Sequence, residues 1–172
     1  MASGLDISFD VDVEGLRRLV KKFPQVAVEE TDQVMKIIIA RLEKDVVEGA
    51  PVGVGGGGGL RGSITGKVAQ YGRRVVGTVG TALAYGEVVE MGRKPGSFPP
   101  VAPIELWARR KLKVTKEDSR SVAYAIAMKI YRKGFKGAHM FGGAWKANES
   151  WIHSQLNTIP GRIARRAQHG TR

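Results

Sequence analysis

The sequence predicts an α+β fold in which a long helix packs on a small antiparallel β-sheet, with additional C-terminal helices. Three observations support this prediction. Apolar residues recur at helical spacing between residues 24 and 49, and two β-like segments, 63–71 and 74–81, follow in series. Helical patterns then return from residue 103 onward. At 172 residues, the chain has the size of one ordinary domain, so we expect residues 1–172 to form a single domain.

The N-terminal third predicts a strand, a short helix and the long helix. Residues 5–11 alternate apolar and polar side chains, which is the period of a half-buried strand. Asp12 is placed to cap a short helix that runs through Lys22. The long helix is indicated by apolar residues at every fourth position, namely Val34, Ile38, Leu42 and Val46. Gly49-Ala50-Pro51 is expected to end it.

A glycine-rich loop and a β-hairpin come next. Five consecutive glycines, residues 55–59, cannot hold one conformation without outside contacts, so we expect a neighbouring subunit or ring to order this loop. Segments 63–71 and 74–81 then read as two strands joined at Gly72-Arg73, a turn-compatible pair. Gly77 weakens the second strand and indicates a bulge or a close backbone approach.

Two inserted helices are predicted at about residues 103–133. Pro103 is suited to opening the first of them. Thr115 and Asp118 have the spacing of a capping box at the start of the second, which Gly134 is expected to end.

A C-terminal helical segment is predicted at about residues 143–168. Pro160 either kinks this segment or starts a new helix. Three basic residues at its end are spaced three and four apart and therefore share a helix face: Arg162, Arg165 and Arg166. This face could meet another protein surface, contact DNA phosphates loosely, or be a solvated helix end.

The charge of the chain is unevenly distributed. Residues 1–50 hold seven basic and ten acidic residues, a net charge of −3, while residues 51–172 carry +15. Such asymmetry indicates either nucleic-acid contact or complementary surfaces on adjacent subunits, and charge alone does not choose between them. There are no cysteines, no apolar run reaches the length of a membrane span, and the first residues lack the pattern of a secretory signal. These features predict a protein assembled in a cytoplasm without membrane contact.

No catalytic or cofactor site is predicted. The glycines within residues 53–58 formally match a dinucleotide fingerprint, but they follow a helix and precede a strand, which reverses the required context. Glu87 and Glu90 are three residues apart, and we expect them to be surface or salt-bridge residues. The three histidines lack metal-ligand spacing: His139, His153 and His169. The sequence therefore predicts a protein that is not an enzyme and binds no cofactor or metal.

The order of four short motifs resembles that of the tail-completion or head–tail joining proteins of long-tailed bacteriophages, of the neck or tail-terminator type. The motifs are Ala50-Pro51, Leu60-Arg61-Gly62-Ser63-Ile64, Tyr85 and Glu90-Met91-Gly92. The family usually has a Thr-Gly or Ser-Gly step before Leu-Arg, whereas this chain has its glycine run there. The resemblance implies a non-enzymatic structural virion protein that forms a ring, commonly hexameric, at the head–tail junction or the top of the tail. The motif and interface residues that it singles out are Pro51, Gly59, Leu60, Arg61, Ser63, Tyr85, Glu90 and Gly92.

The resemblance also implies partners, whereas the alternative function rests on the basic residues of the chain. The expected partners are further copies of the chain, a head connector or stopper protein, the tail tube protein and, non-specifically, genomic DNA in the lumen. The alternative is a basic DNA-binding accessory protein that uses the C-terminal arginines. Within the fold, we expect Tyr85 to pack on the long helix with its hydroxyl bonded, and Glu90 to pair with a basic residue such as Arg61 or Arg93.

Overall fold

The computed structural model describes residues 6–10, 17–52 and 59–169, and it has the predicted α+β fold. The expected cap at Asp12 and glycines 55–58 lie outside the described residues. Within the described part, no helix has the length and apolar character needed to cross a membrane.

The long helix α2, Pro24–Gly49, is the central element of the core. Its 26 residues confirm the predicted helix and its end at Gly49, after which Ala50 adopts an extended conformation. Apolar side chains at a spacing of three and four form a wide buried face because they pack on the sheet on one side and on C-terminal helices on the other. The apolar members of that face are Ala27, Val34, Met35, Ile38, Ile39, Leu42 and Val46.

A three-stranded antiparallel sheet packs against α2. Its strands are β1 (Asp6–Asp10), β2 (Ile64–Tyr71) and β3 (Arg74–Thr81), in the order β1-β3-β2. The predicted hairpin is confirmed, with Tyr71 opposite Arg74 and Gly72 in the left-handed region at φ +62°. Gly77 marks a close approach, as expected, since a Cβ there would lie 2.6 Å from the Ile39 side chain.

Several short elements connect the larger ones, and the sequence did not predict most of them. Helix α1 runs over Arg17–Lys22, in agreement with the prediction that a short helix reaches Lys22. The others are α3 (Gly59–Ser63), α4 (Gly86–Met91), and the two-stranded sheet of β4 (Gly92–Arg93) and β5 (Phe135–Lys136).

The inserted helices form an arm, which we define as residues 101–133 and call the helical arm. It consists of α5 (Val101–Trp107), a π-helical segment (Ala108–Leu112) and α6 (Lys116–Lys133). The expected start at Pro103 is wrong by two residues, because Pro100 caps α5 in an extended conformation that favours an earlier start. The arm's helices pack on one another through small, fully buried side chains: Ala108, Ser119, Ala123 and Ala127.

Both predicted boundaries of α6 are confirmed. The Thr115 hydroxyl oxygen accepts a hydrogen bond from the Asp118 backbone N–H at 3.2 Å, as a capping box requires. Gly134 ends the helix at φ +63°, a conformation in which a side chain is strained.

Two helices complete the fold, α7 (Met140–Leu156) and α8 (Ile159–His169). Pro160 therefore lies in the first turn of a new helix and does not kink a continuous one. Helix α7 packs on α2, and the buried Asn148 amide donates a hydrogen bond of 2.6 Å to the Asp45 carboxylate across that contact.

Candidate functional site

The motif residues lie at the joints between elements, and the first joint is the C-terminal end of α2. Arg61 is presented there by α3, and its Nε donates a hydrogen bond of 2.7 Å to the Ala50 carbonyl oxygen. A second guanidinium nitrogen donates to the Glu48 carbonyl oxygen at 3.2 Å. These carbonyls have no partner within α2, and a cation is favoured at this end of a helix. Pro51 is exposed immediately beyond the capped end.

The other residues of the Leu60-Arg61-Gly62-Ser63-Ile64 motif attach α3 to the sheet. Leu60 is buried in the core, and the Ser63 hydroxyl donates a hydrogen bond of 2.8 Å to the Leu60 carbonyl oxygen. Ser63 Oγ also lies 2.6 Å from Thr81 Oγ1 at the end of β3. Gly59 begins α3 at φ +51°, where a residue with a side chain is strained. These contacts connect α2, the hairpin and the turn between them.

Glu90 forms the second joint, in a way that the sequence did not predict. Its side chain is buried, with 5% of its surface exposed, so the expectation of a surface residue is wrong. Within the described residues its carboxylate pairs with neither Arg61 nor Arg93. The two carboxylate oxygens accept hydrogen bonds from the backbone N–H groups of Phe141 at 3.1 Å and Gly142 at 3.0 Å.

This geometry gives Glu90 a defined electrostatic role. Phe141 and Gly142 are in the first turn of α7, where backbone N–H groups lack helical partners and the helix dipole attracts an anion. The expected salt bridge is wrong because the partner of the acid is a helix N-terminus 51 to 52 residues further along the chain. Glu90 therefore attaches α4 to α7.

Gly92 forms the third joint, at the base of the helical arm. It has φ +79°, and its backbone pairs with Lys136 between β4 and β5. An added Cβ would lie 2.5 Å from both the Gly137 nitrogen and the Phe135 carbonyl oxygen. Only glycine allows the two ends of the arm to come together at this point.

Tyr85 does not occupy its expected position. Nearly half of its side chain (49%) is exposed and it precedes α4, so the expectation that it packs on α2 with a bonded hydroxyl is wrong. Met91, at the other end of α4, is 67% exposed. These two side chains expose apolar surface at the two ends of α4, beside Glu90 and Gly92.

Two of the three C-terminal arginines are paired with acids of α2 in the same chain. Arg162 Nε lies 3.0 Å from a Glu30 carboxylate oxygen. Arg166 contacts Glu30 at 3.0 Å and Glu29 at 2.6 Å. The hydrogen bond that Arg166 donates to Glu30 raises the pKa of the Arg166 guanidinium above its ordinary value, and the negative charge of Glu29 adds to the effect. The acidic partner expected for this face therefore lies within the same chain.

Arg165 differs from its two neighbours. It is exposed, and within the described residues it forms no ion pair. The structure thus separates the three arginines, since Arg162 and Arg166 hold α8 against α2 while Arg165 remains available to solvent or a partner.

Sequence reasoning missed two polar contacts within the fold. One joins Ser63 to Thr81, and the other joins Asn148 to Asp45. The partners are far apart in sequence, so no local pattern indicates either contact. Within the described residues, no cluster of three or more histidine or acidic side chains could hold a metal ion.

Comparison of the chain with protein-family models, curated proteins and solved structures finds no match.

Proposed function

We propose that this chain is a non-enzymatic structural protein of a bacteriophage virion, forming a ring at the head–tail junction or at the top of the tail. The observation that carries the proposal is the position of the motif residues. Arg61, Ser63, Glu90 and Gly92 each connect two elements of the fold. The likeness to tail-completion proteins therefore involves residues that connect the elements of this fold.

The surface of the fold also suits a ring. Among the described strands, β2 has only β3 as a neighbour, so its outer edge is open to pairing with another chain. Tyr85 and Met91 expose apolar surface on either side of α4. A ring needs two different surfaces per subunit that fit each other, and these features provide candidates for them.

The alternative function, a DNA-binding accessory protein that uses the C-terminal arginines, is less well supported. Arg162 and Arg166 are engaged by Glu29 and Glu30, so their charge is largely compensated within the chain. Only Arg165 of the three is exposed without a partner in the described part of the chain.

The direct test is negative-stain imaging and light scattering of the purified protein, alone and with tail tubes. We expect closed rings, with hexamers as the expected number, that cap one end of a tube. A protein that stays monomeric in both conditions at micromolar concentration, and does not bind tubes, would refute the proposal.

A surface substitution makes the test specific. Met91→Asp places a charge on an exposed side chain at the end of α4, and we expect it to prevent ring formation without unfolding the subunit. Ile37→Asp is a matched control, because Ile37 is 46% exposed on α2, away from the joint residues. Equal loss of rings in both variants would show that α4 has no special part in assembly.

A further inference from the structure

The helical arm carries half of the net charge of the chain. Its 33 residues include nine basic and three acidic residues, a net charge of +6, compared with +12 for all 172 residues. Five of the nine basic residues fall within residues 109–116, which contain no acid and connect the π-helical segment to α6. We call residues 109–116 the tip of the arm.

The basic side chains of the tip are exposed. Within the described part of the chain, four of them form no ion pair: Arg109, Lys111, Lys113 and Lys116. Lys113 has a left-handed conformation, φ +53°, which reverses the chain direction between the two helices. The turn therefore gathers positive charge from both helices of the arm at one place.

The acids nearest to the tip form no ion pair with these four side chains in the described part of the chain. Asp118 accepts a hydrogen bond from the Thr115 hydroxyl at 2.9 Å, and Glu105 accepts one from the Ser119 hydroxyl at 2.8 Å. Glu117 lies in the first turn of α6, where the helix dipole favours an acid. The four tip residues Arg109, Lys111, Lys113 and Lys116 therefore have no acidic partner among the described residues, and the arm keeps a net charge of +6.

An open pocket lies among these charges. Its volume is about 430 Å³, and it is lined by Leu106, Arg109, Arg110, Val114 and Lys116. Three of the five lining residues are cationic and none is acidic, so the pocket can receive an anionic group the size of a phosphate. Arginine and lysine side chains are common donors to the phosphates of nucleic-acid backbones.

We propose that the tip of the helical arm binds the phosphate backbone of double-stranded DNA without reading its sequence. Charge complementarity favours DNA as the partner, because the tip has five basic residues and no acid and DNA is a polyanion. The three lysines of the tip favour DNA over a protein surface, because lysine is depleted in protein–protein interfaces. This proposal adds a DNA contact to the proposed ring. The proposed DNA contact can be refuted while the proposed ring function still holds.

The test compares two variants that have the same net charge. The tip variant carries R109Q, K111Q, K113Q and K116Q. The control carries four similar substitutions at exposed residues outside the arm: K21Q, K67Q, R73Q and K146Q. The probe is a 30-base-pair duplex of arbitrary sequence, and its affinity for the full-length protein is measured by fluorescence anisotropy at several salt concentrations.

We expect a large loss of DNA affinity in the tip variant and a small loss in the control variant. Since each phosphate contact contributes about 0.9 to the slope of log K against log salt, the slope should become less steep by about 3 to 4 in the tip variant. Affinity at 0.1 M salt should fall by at least about tenfold. The control should change by no more than about twofold, because exposed charges further than about 10 Å away are screened at this ionic strength.

A second measurement uses the unsubstituted protein and so does not depend on how the variants fold. Lysine acetylation, read by mass spectrometry, should be slowed by bound duplex at Lys111 and Lys113 but not at Lys67 or Lys146. Equal loss of affinity in both variants, or no protection of the tip lysines, would overturn the proposal. A tip variant that binds DNA normally but no longer joins tails would overturn it as well, and would assign the tip to an acidic protein surface.

Discussion

Replacing Glu90 with glutamine tests the joint between α4 and α7. Both carboxylate oxygens accept a backbone N–H from the first turn of α7, and the side chain is almost completely buried. Glutamine has the same shape but keeps only one oxygen, so one N–H would face the amide NH₂ group. The negative charge that complements the helix dipole would also be lost.

The size of the effect follows from these two hydrogen bonds. A hydrogen bond to a charged group contributes about 1.5–3 kcal/mol, so Glu90→Gln, which loses one bond and weakens the other, should lower the free energy of unfolding by about 2–3 kcal/mol. Glu90→Ala removes both acceptors and should cost about 4 kcal/mol. For a domain of this size, the glutamine variant should lower the Tm by roughly 4–12 °C.

The assay is urea unfolding followed by circular dichroism, at one protein concentration because assembly also stabilises the folded state. Glu87→Gln is the matched control, since Glu87 is exposed three residues earlier and should change stability by less than about 0.5 kcal/mol. Amide exchange at Phe141 and Gly142 should also accelerate in Glu90→Gln. Equal stability of the Glu87 and Glu90 variants would refute the assignment of Glu90 as the anion that holds α7.

Three further substitutions test the other joint residues. Arg61→Lys replaces the two separate donor nitrogens at the end of α2 with a single ammonium nitrogen, and chemical unfolding should show a loss of about 1–2 kcal/mol. Gly92→Ala should destabilise more than Gly72→Ala in the same experiment, because both have positive φ but only at Gly92 would the Cβ meet backbone atoms; equal losses would contradict the close contact. Tyr85→Ala should cost less than about 1.5 kcal/mol because Tyr85 is half exposed, and a loss of 3 kcal/mol or more, typical of a buried aromatic residue, would show that the ring is packed in the core.

The sequence predicted the large elements because their signals are local. The four-residue spacing of Val34 to Val46 defines α2, and a turn-compatible pair between two β-like segments defines the hairpin. Thr115 and Asp118 likewise define the start of α6 through a contact three residues long. In each case the residues that determine the element are close to one another in sequence.

The joints were not predictable because their partners are distant in sequence. A basic residue near Glu90 was the natural expectation for a lone acid, yet its partners are N–H groups of α7, which no side-chain pattern reveals. The same holds for Arg61, whose partners are backbone carbonyls of α2. Tyr85 shows the opposite error, since an aromatic residue beside a motif suggests burial while the start of α4 places it at the surface.

The distribution of charge changes how the C-terminal arginines should be tested. The acidic surplus of residues 1–50 suggested a complementary surface on an adjacent subunit, but Glu29 and Glu30 already bind Arg162 and Arg166 of the same chain. Replacing these arginines with glutamate would repel α8 from α2, so a loss of assembly would report a weakened fold. Among the described residues, Arg109, Lys111, Lys113 and Lys116 of the tip form no ion pair, whereas Arg110 has a partner. We therefore expect the charge of these four residues to be removable without disturbing the core, so that a change in DNA affinity reports a contact with DNA.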